Sequence, residues 1–179
     1  MKVSLGPRPL AVPGPVWLIG SYDPAGRPNA MAASWVGICC SKPPCVAVAV
    51  RPERYSHECI THSGAFTVNV PSARHAAAVD ILGNRSGRDA NKFAAAGLTA
   101  VASECVNAPY IAECPIVLEC RPVQRLDLGS HTLFIGEIVD VKADASVVSP
   151  AGELDVEAID PFVLLRGYRA LGRVLPRSV

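Results

Sequence analysis

Neither sign of charge dominates this sequence: 17 Lys and Arg stand against 16 Asp and Glu, for a formal net charge of +1. That removes the general electrostatic argument for a nucleic acid or anionic membrane partner, and neither is expected. Long apolar runs are missing too. The stretch from Ala30 to Cys40 falls far short of the roughly 20 residues a spanning helix needs. Pro7, Pro9, Pro13 and Pro15 interrupt the residues before Trp17, so no secretory h-region is expected and a cytoplasmic location is. The seven cysteines, at positions 39, 40, 45, 59, 105, 114 and 120, show no C-x-x-C pairing, which argues against a disulfide framework or a zinc ribbon. The adjacent Cys39 and Cys40 would point to opposite faces of a regular strand, so a redox pair there is not expected. No Walker loop, no G-x-G-x-x-G after a strand, no H-E-x-x-H and no G-x-S-x-G occurs, which removes the strong signatures of ATPases, Rossmann dehydrogenases, zincins and hydrolases. The four histidines lack metal-ligand spacing, and no metal is expected.

What remains is a chain of 179 residues, 50% hydrophobic and 18% charged, suited to one packed domain over residues 1–179. Val16 to Tyr22 reads as a strand, Asp23-Pro24-Ala25-Gly26 as a type I turn, and Asn29 to about Ile38 as the returning arm of a hairpin. Further strands are expected at Cys45–Arg51, Ala65–Val70, Ile116–Val123, His131–Val141 and Pro161–Leu165. Gly136 inside the His131 strand signals a bend or a close backbone approach. Helices are expected at about His57–His62, from Ser72 to Leu82 with Gly83 as exit, and from near Asp89 to Gly97. Many strands with a helical excursion in the middle imply a mainly β fold, a β-barrel with attached helices.

Three stretches carry chemistry. Asn29-Ala-Met-Ala-Ala-Ser-Trp35 is built of small residues flanked by two hydrogen-bonding side chains and a large aromatic. It suits either a tightly packed strand or a wall against a flat ligand. Arg51-Pro-Glu-Arg-Tyr-Ser56 places two guanidiniums and a hydroxyl before a helix start, where free amides attract phosphate or carboxylate; a capped surface helix is the plainer reading. Asn84 to Arg88 is a polar, basic loop, and Lys92 sits in a first helical turn, where the helix dipole does not favour a cation unless an anion accompanies it.

These motifs, with Ser86-Gly-Arg-Asp-Ala-Asn-Lys-Phe93 and His131-Thr-Leu-Phe-Ile-Gly-Glu137, stand in the order found in flavin reductase-like, FMN-binding split-barrel proteins, and the chain resembles the flavoredoxins among them most, from about Val12 to Leu171. The resemblance implies a six-stranded antiparallel Greek-key barrel, a homodimer, and one FMN near the subunit interface at each site. By that similarity Asn29, Met31, Ala32, Ser34 and Trp35 would border the isoalloxazine or ribityl chain. Arg51, Ser56 and Lys92 would meet the phosphate end, and His131 and Tyr168 would approach from elsewhere in the barrel or from the partner. The flavin carries the chemistry, so binding residues but no catalytic residue are implied, with NAD(P)H or a redox protein as electron donor. The chain departs from the pattern at Asn91, where an acidic residue is frequent, at Ser56, where Thr is common, and at Leu164 and Leu165, where some relatives place an aromatic. Two other classes remain open: a split-barrel dimer that binds haem or a small ligand without turnover, with His131 as a ligand, and a thiol redox protein centred on Cys39 and Cys40.

Overall fold

The structure, a computed structural model, describes residues 1–10, 12–172 and 175. Along the chain come β1 (Gly14–Pro15), β2 (Trp17–Tyr22), β3 (Pro28–Ala33), β4 (Val36–Ser41), β5 (Pro44–Val50), α1 (Tyr55–Ser63), β6 (Phe66–Val70), α2 (Ala76–Asn84) and α3 (Lys92–Ala96). Then follow β7 (Ala100–Ala102), β8 (Pro109–Ile111), β9 (Ile116–Asp127), β10 (Thr132–Ala143), α4 (Val156–Ile159), β11 (Phe162–Leu164) and β12 (Tyr168–Ala170).

The main sheet has seven strands, not the six expected, in the order β3-β2-β6-β9-β10-β5-β4. The extra strand arises because the single arm expected over 29–38 breaks at Ser34 and Trp35 into β3 and β4. Those two strands occupy opposite edges of the sheet. Two residues reach only about 7–10 Å, so the edges must approach each other there and the sheet curls into a barrel split along that seam. Trp35 extends the β4–β5 ladder by one bond, its carbonyl accepting from the Ala49 amide at 2.9 Å.

Alternation sorts the side chains into two cores. Ile19, Val46, Val48, Val50, Phe66, Val68, Leu118, Cys120 and Phe134 fill the barrel. Leu18 and Ala30, neighbours of inward residues and therefore outward, pack with Val79, Leu82, Phe93 and Ile111 beneath α2 and α3. Gly136 meets its expectation: a Cβ there would run into the Phe66 ring, and the β9–β10 register shifts beside it.

Thr67 and Asn69 form the polar face of β6, yet both are buried. Asn69 donates to the Leu18 carbonyl at 3.0 Å and accepts from the Ile111 amide at 2.8 Å, and Thr67 donates to the Pro109 carbonyl at 2.7 Å. These bonds hold β8 against the barrel wall and satisfy groups that would be costly to bury unpaired. Several helix boundaries move: α3 begins at Lys92 rather than near Asp89, and a 3-10 turn over Ala73–His75 precedes α2, which begins at Ala76. α1 begins at Tyr55 rather than His57, and α2 runs through Gly83 to Asn84 instead of leaving at Gly83. Gly83 lies against the Ala32 side chain, so α2 sits close on β3. Among the described residues, no helix is long and apolar enough to cross a membrane.

Candidate functional site

The site starts at the Asp23 turn. Asp23 accepts from the Ala25 and Arg27 amides at 2.9 and 2.8 Å, and from Arg27 Nε and the Tyr55 hydroxyl at 2.8 Å each. Burial pushes its carboxyl upward, but the bonds from the Arg27 amide, Tyr55 and the Arg27 side chain outweigh this and hold it below the usual range. The turn is thereby fastened to the first residue of α1.

That fastening fixes the next residue. Ser56, buried in the first turn of α1, accepts from Asn29 Nδ2 at 2.9 Å, while Asn29 Oδ1 is buried with no partner. Arg54, at the N-cap of α1, makes no side-chain capping bond; the Arg54 and His57 amides are bonded to the Arg51 and Arg54 carbonyls at 3.0 Å each, which leaves the Tyr55 and Ser56 amides for an incoming acceptor. Gly87 lies directly over these groups; a Cβ there would collide with Asn29 Oδ1 and the Tyr55 ring.

Lys92 closes the far side. It is the first residue of α3, is 5% exposed, and donates from Nζ to the Leu82 carbonyl at 2.9 Å, near the end of α2. Burial lowers its pKa to about 8, because removal from water disfavours the ammonium. Asn91 caps α3 by accepting from the Ala94 amide at 3.1 Å.

Around these residues lies a cavity of about 340 Å³ lined by Met31, Ala32, Arg54, Ser56, Arg85 and Lys92, among others. A second, of about 350 Å³, shares Tyr55, Gly87 and Arg88 with it and reaches Asp23 and Asn29. Lys92 supplies a buried cation at the base, and Arg54 and Arg85 supply exposed ones at the rim. Arg88 is already engaged, bonded to Glu58 at 2.8 Å and placed over the Tyr55 ring. Cations, a hydroxyl and the Tyr55 and Ser56 amides border one cavity, a donor set that suits a phosphate-like anion.

Of the ten residues singled out from the sequence, Asn29, Met31, Ala32, Ser56 and Lys92 border these two cavities. Ser34 and Trp35 border another groove, with Pro13, Gly14 and Pro15. Trp35 is 50% exposed and faces the His131 ring at 4.6 Å between centroids, tilted by 37°. Arg51 is exposed and paired with Glu53 at 3.5 Å. Tyr168 packs edge-on against Phe162 at 5.1 Å, beside the second core. Arg54, Arg85, Ser86 and Gly87 also line the cavity; Arg54 belongs to the stretch read as a candidate anion site, but none of the four is assigned as a binding residue from the sequence. Their basic, polar composition was visible in the sequence, but the folding of the 84–88 loop back over α1 was not.

A family model described as "Flavin reductase like domain" matches residues 10–165. The chain belongs to that family. Its fold superposes on the flavoredoxin of Desulfovibrio vulgaris (Miyazaki F) with a TM-score of 0.92 and 44% identity, covering 99% of this chain and 97% of that one. The chain is 30% identical over 129 residues to a ferric-chelate reductase (NAD(P)H) of Archaeoglobus fulgidus, covering 70% of this chain and 75% of that protein. It is 41% identical over 115 residues to an uncharacterised protein of the same organism, 64% of this chain, and spans 65% of that relative's length. The split-barrel architecture expected from the sequence therefore stands, with one strand more than anticipated.

Proposed function

We propose that this protein is an FMN-binding oxidoreductase of the flavoredoxin or flavin reductase type, passing electrons from a donor to an acceptor through bound FMN. The observation that carries the reading is the buried cradle of Asn29, Ser56 and Lys92 at the open start of α1, in a chain alike over 99% of its length to a flavoredoxin. The cradle fits FMN chemically. A phosphate near −2 matches Lys92, Arg54, Arg85 and the Ser56 hydroxyl through charge-assisted hydrogen bonds. The partnerless Asn29 Oδ1 is an acceptor awaiting a donor from the ligand.

When bound, the flavin supplies the redox chemistry, taking a hydride or single electrons. The residues of this chain do the holding. Lys92 and Ser56 anchor the phosphate, and Arg54 and Arg85 close over it, with Arg51 at the outer edge. Asn29, Met31 and Ala32 border the ribityl or ring system through short side chains and backbone. Ser34, Trp35, His131 and Tyr168 serve the remaining end, completed by the partner of a homodimer. Such a dimer would cover exposed apolar side chains, Trp35 among them. A reduced nicotinamide is the favoured donor class, given the relative that bears NAD(P)H in its name; a redox protein is the other.

The purified protein is expected to be yellow, with flavin absorption bands that bleach on adding NADH or NADPH. Absence of both bound flavin and micromolar FMN binding would sink the proposal, and a Soret band would point to haem instead. Turnover with free FMN would mark a flavin-releasing reductase; bleaching without turnover would mark a carrier that holds its flavin.

A further inference from the structure

All seven cysteines are free thiols, and three of them meet on the β4–β5 hairpin. In the register of that hairpin Cys40 is the Cα partner of Cys45, and the ladder slips by one residue between Ile38 and Cys40. The slip is a β-bulge, in which two residues of one strand oppose one residue of the other. Cys39 is the extra residue of the bulge, and Cys40 stands directly opposite Cys45. Directly opposed residues in an antiparallel pair have Cα atoms about 4.5–5.5 Å apart, inside the roughly 4.4–6.8 Å range a disulfide requires.

Exposure separates the roles. Cys39 and Cys40 are exposed, whereas Cys45 is only 5% exposed. Val46, Val48 and Val50 point into the barrel core, so alternation turns Cys45 outward, where it faces Glu137 of β10. An outward thiol hidden from water is covered by its neighbours. Burial raises the Cys45 thiol above its ordinary value, and the thiols of Cys40 and Cys39 raise it further. An accessible thiol beside a shielded one is the arrangement of an attacking and a resolving cysteine.

We propose that Cys40 and Cys45 form a redox-active dithiol that exchanges with low-molecular-weight disulfides. The Cys40 thiolate attacks a disulfide RSSR, forming a mixed disulfide and releasing one RS⁻. The Cys45 thiol then displaces the second RS⁻, closing a Cys40–Cys45 bond. The two protons lost by the protein thiols end on two RSH, so one RSSR is reduced as one dithiol is oxidised. A metal site is not the reading, since among the described residues no group of three or more His, Cys, Asp or Glu side chains is arranged to hold a metal ion.

The test uses the whole protein as purified, reduced, freed of reductant, and incubated with oxidised glutathione. Remaining thiols are counted by alkylation and the intact mass is measured. Wild type is expected to lose two alkylatable thiols and two hydrogens while retaining no glutathione. Cys45→Ser is expected to stop at the mixed disulfide with one glutathione retained, and Cys39→Ser to close like wild type. Because Cys45 is buried, the exposed Cys40→Ser is the deciding variant, folded by circular dichroism and expected to lose ring closure completely. Closure in Cys40→Ser, glutathione retained by wild type without closure, or no reaction at all would each overturn the proposal. Flavin binding enters none of these readouts, so the dithiol stands or falls separately from the proposed function.

Discussion

The cradle around Lys92 and the face around Trp35 are built on opposite plans. At the cradle Asn29, Ser56 and Lys92 are 3%, 3% and 5% exposed, and each is held by a hydrogen bond within the same chain. At the other face Trp35 is 50% exposed and leans on His131 alone among aromatic neighbours of the described residues. The first region is finished by its own subunit, and its polar groups are oriented before any ligand arrives. The second leaves a large apolar ring in water, a state that is relieved when a ligand or a second subunit covers it. On the proposed reading, preorganisation would serve the anionic end of FMN and adaptability the other end.

This contrast predicts a ranking of losses in FMN affinity. The largest falls on Lys92→Ala, which removes a buried charge-assisted bond of about 1.5–3 kcal/mol, or about tenfold to a hundredfold in Kd by fluorescence titration. The same lysine sets a pH dependence. FMN affinity is expected to fall as pH rises above about 8, where the ammonium of the free protein is lost, and this dependence should vanish in Lys92→Met. The sign for stability is opposite. A lysine lowered from 10.5 to about 8 binds fewer protons folded than unfolded between those values. The flavin-free protein should therefore gain stability with rising pH across that window, measured as denaturant midpoint. Equal midpoints at pH 8 and at pH 10.5 would contradict the burial of Lys92.

Gly87→Ala comes next. Its methyl would collide with Asn29 Oδ1 and the Tyr55 ring, and overpacking of about 1–2 kcal/mol should appear as roughly tenfold weaker FMN binding with an unchanged circular dichroism spectrum. Ser56→Ala should cost about 1 kcal/mol, near fivefold in Kd, because the Asn29 amide loses its acceptor; Ser56→Thr should restore most of it. Arg51→Ala marks the small end. Exposed and paired with Glu53, it should change affinity by about twofold or less. A loss at Arg51 as large as that at Lys92 would reverse the comparison, placing the working cation on the surface rather than in the buried cradle.

Much of this was legible locally. The Asp23-Pro24-Ala25-Gly26 turn, the alternation of β6 and the close approach at Gly136 all follow from side-chain chemistry acting over a few residues, and all are present. The break at Ser34 and Trp35 was not, because small residues favour continuation and ending of a strand almost equally until the barrel has to close. The bulge at Cys39 escaped for a similar reason: a one-residue slip leaves no mark in composition, yet it alters which side chains meet.

The sequence by itself determined the mainly β character, the turns, the basic segments and the order of motifs that marks the family. Those properties depend on residue type and short spacing. Only the tertiary structure decided that Asn29 meets Ser56 across 27 positions, that Lys92 reaches back to Leu82, and that Gly87 lies against Asn29 and Tyr55. Such meetings are set by how the helices pack on the curled sheet, where burial of Leu18, Leu82 and Phe93 in a shared core fixes the loops between them. No spacing rule along the chain encodes that packing.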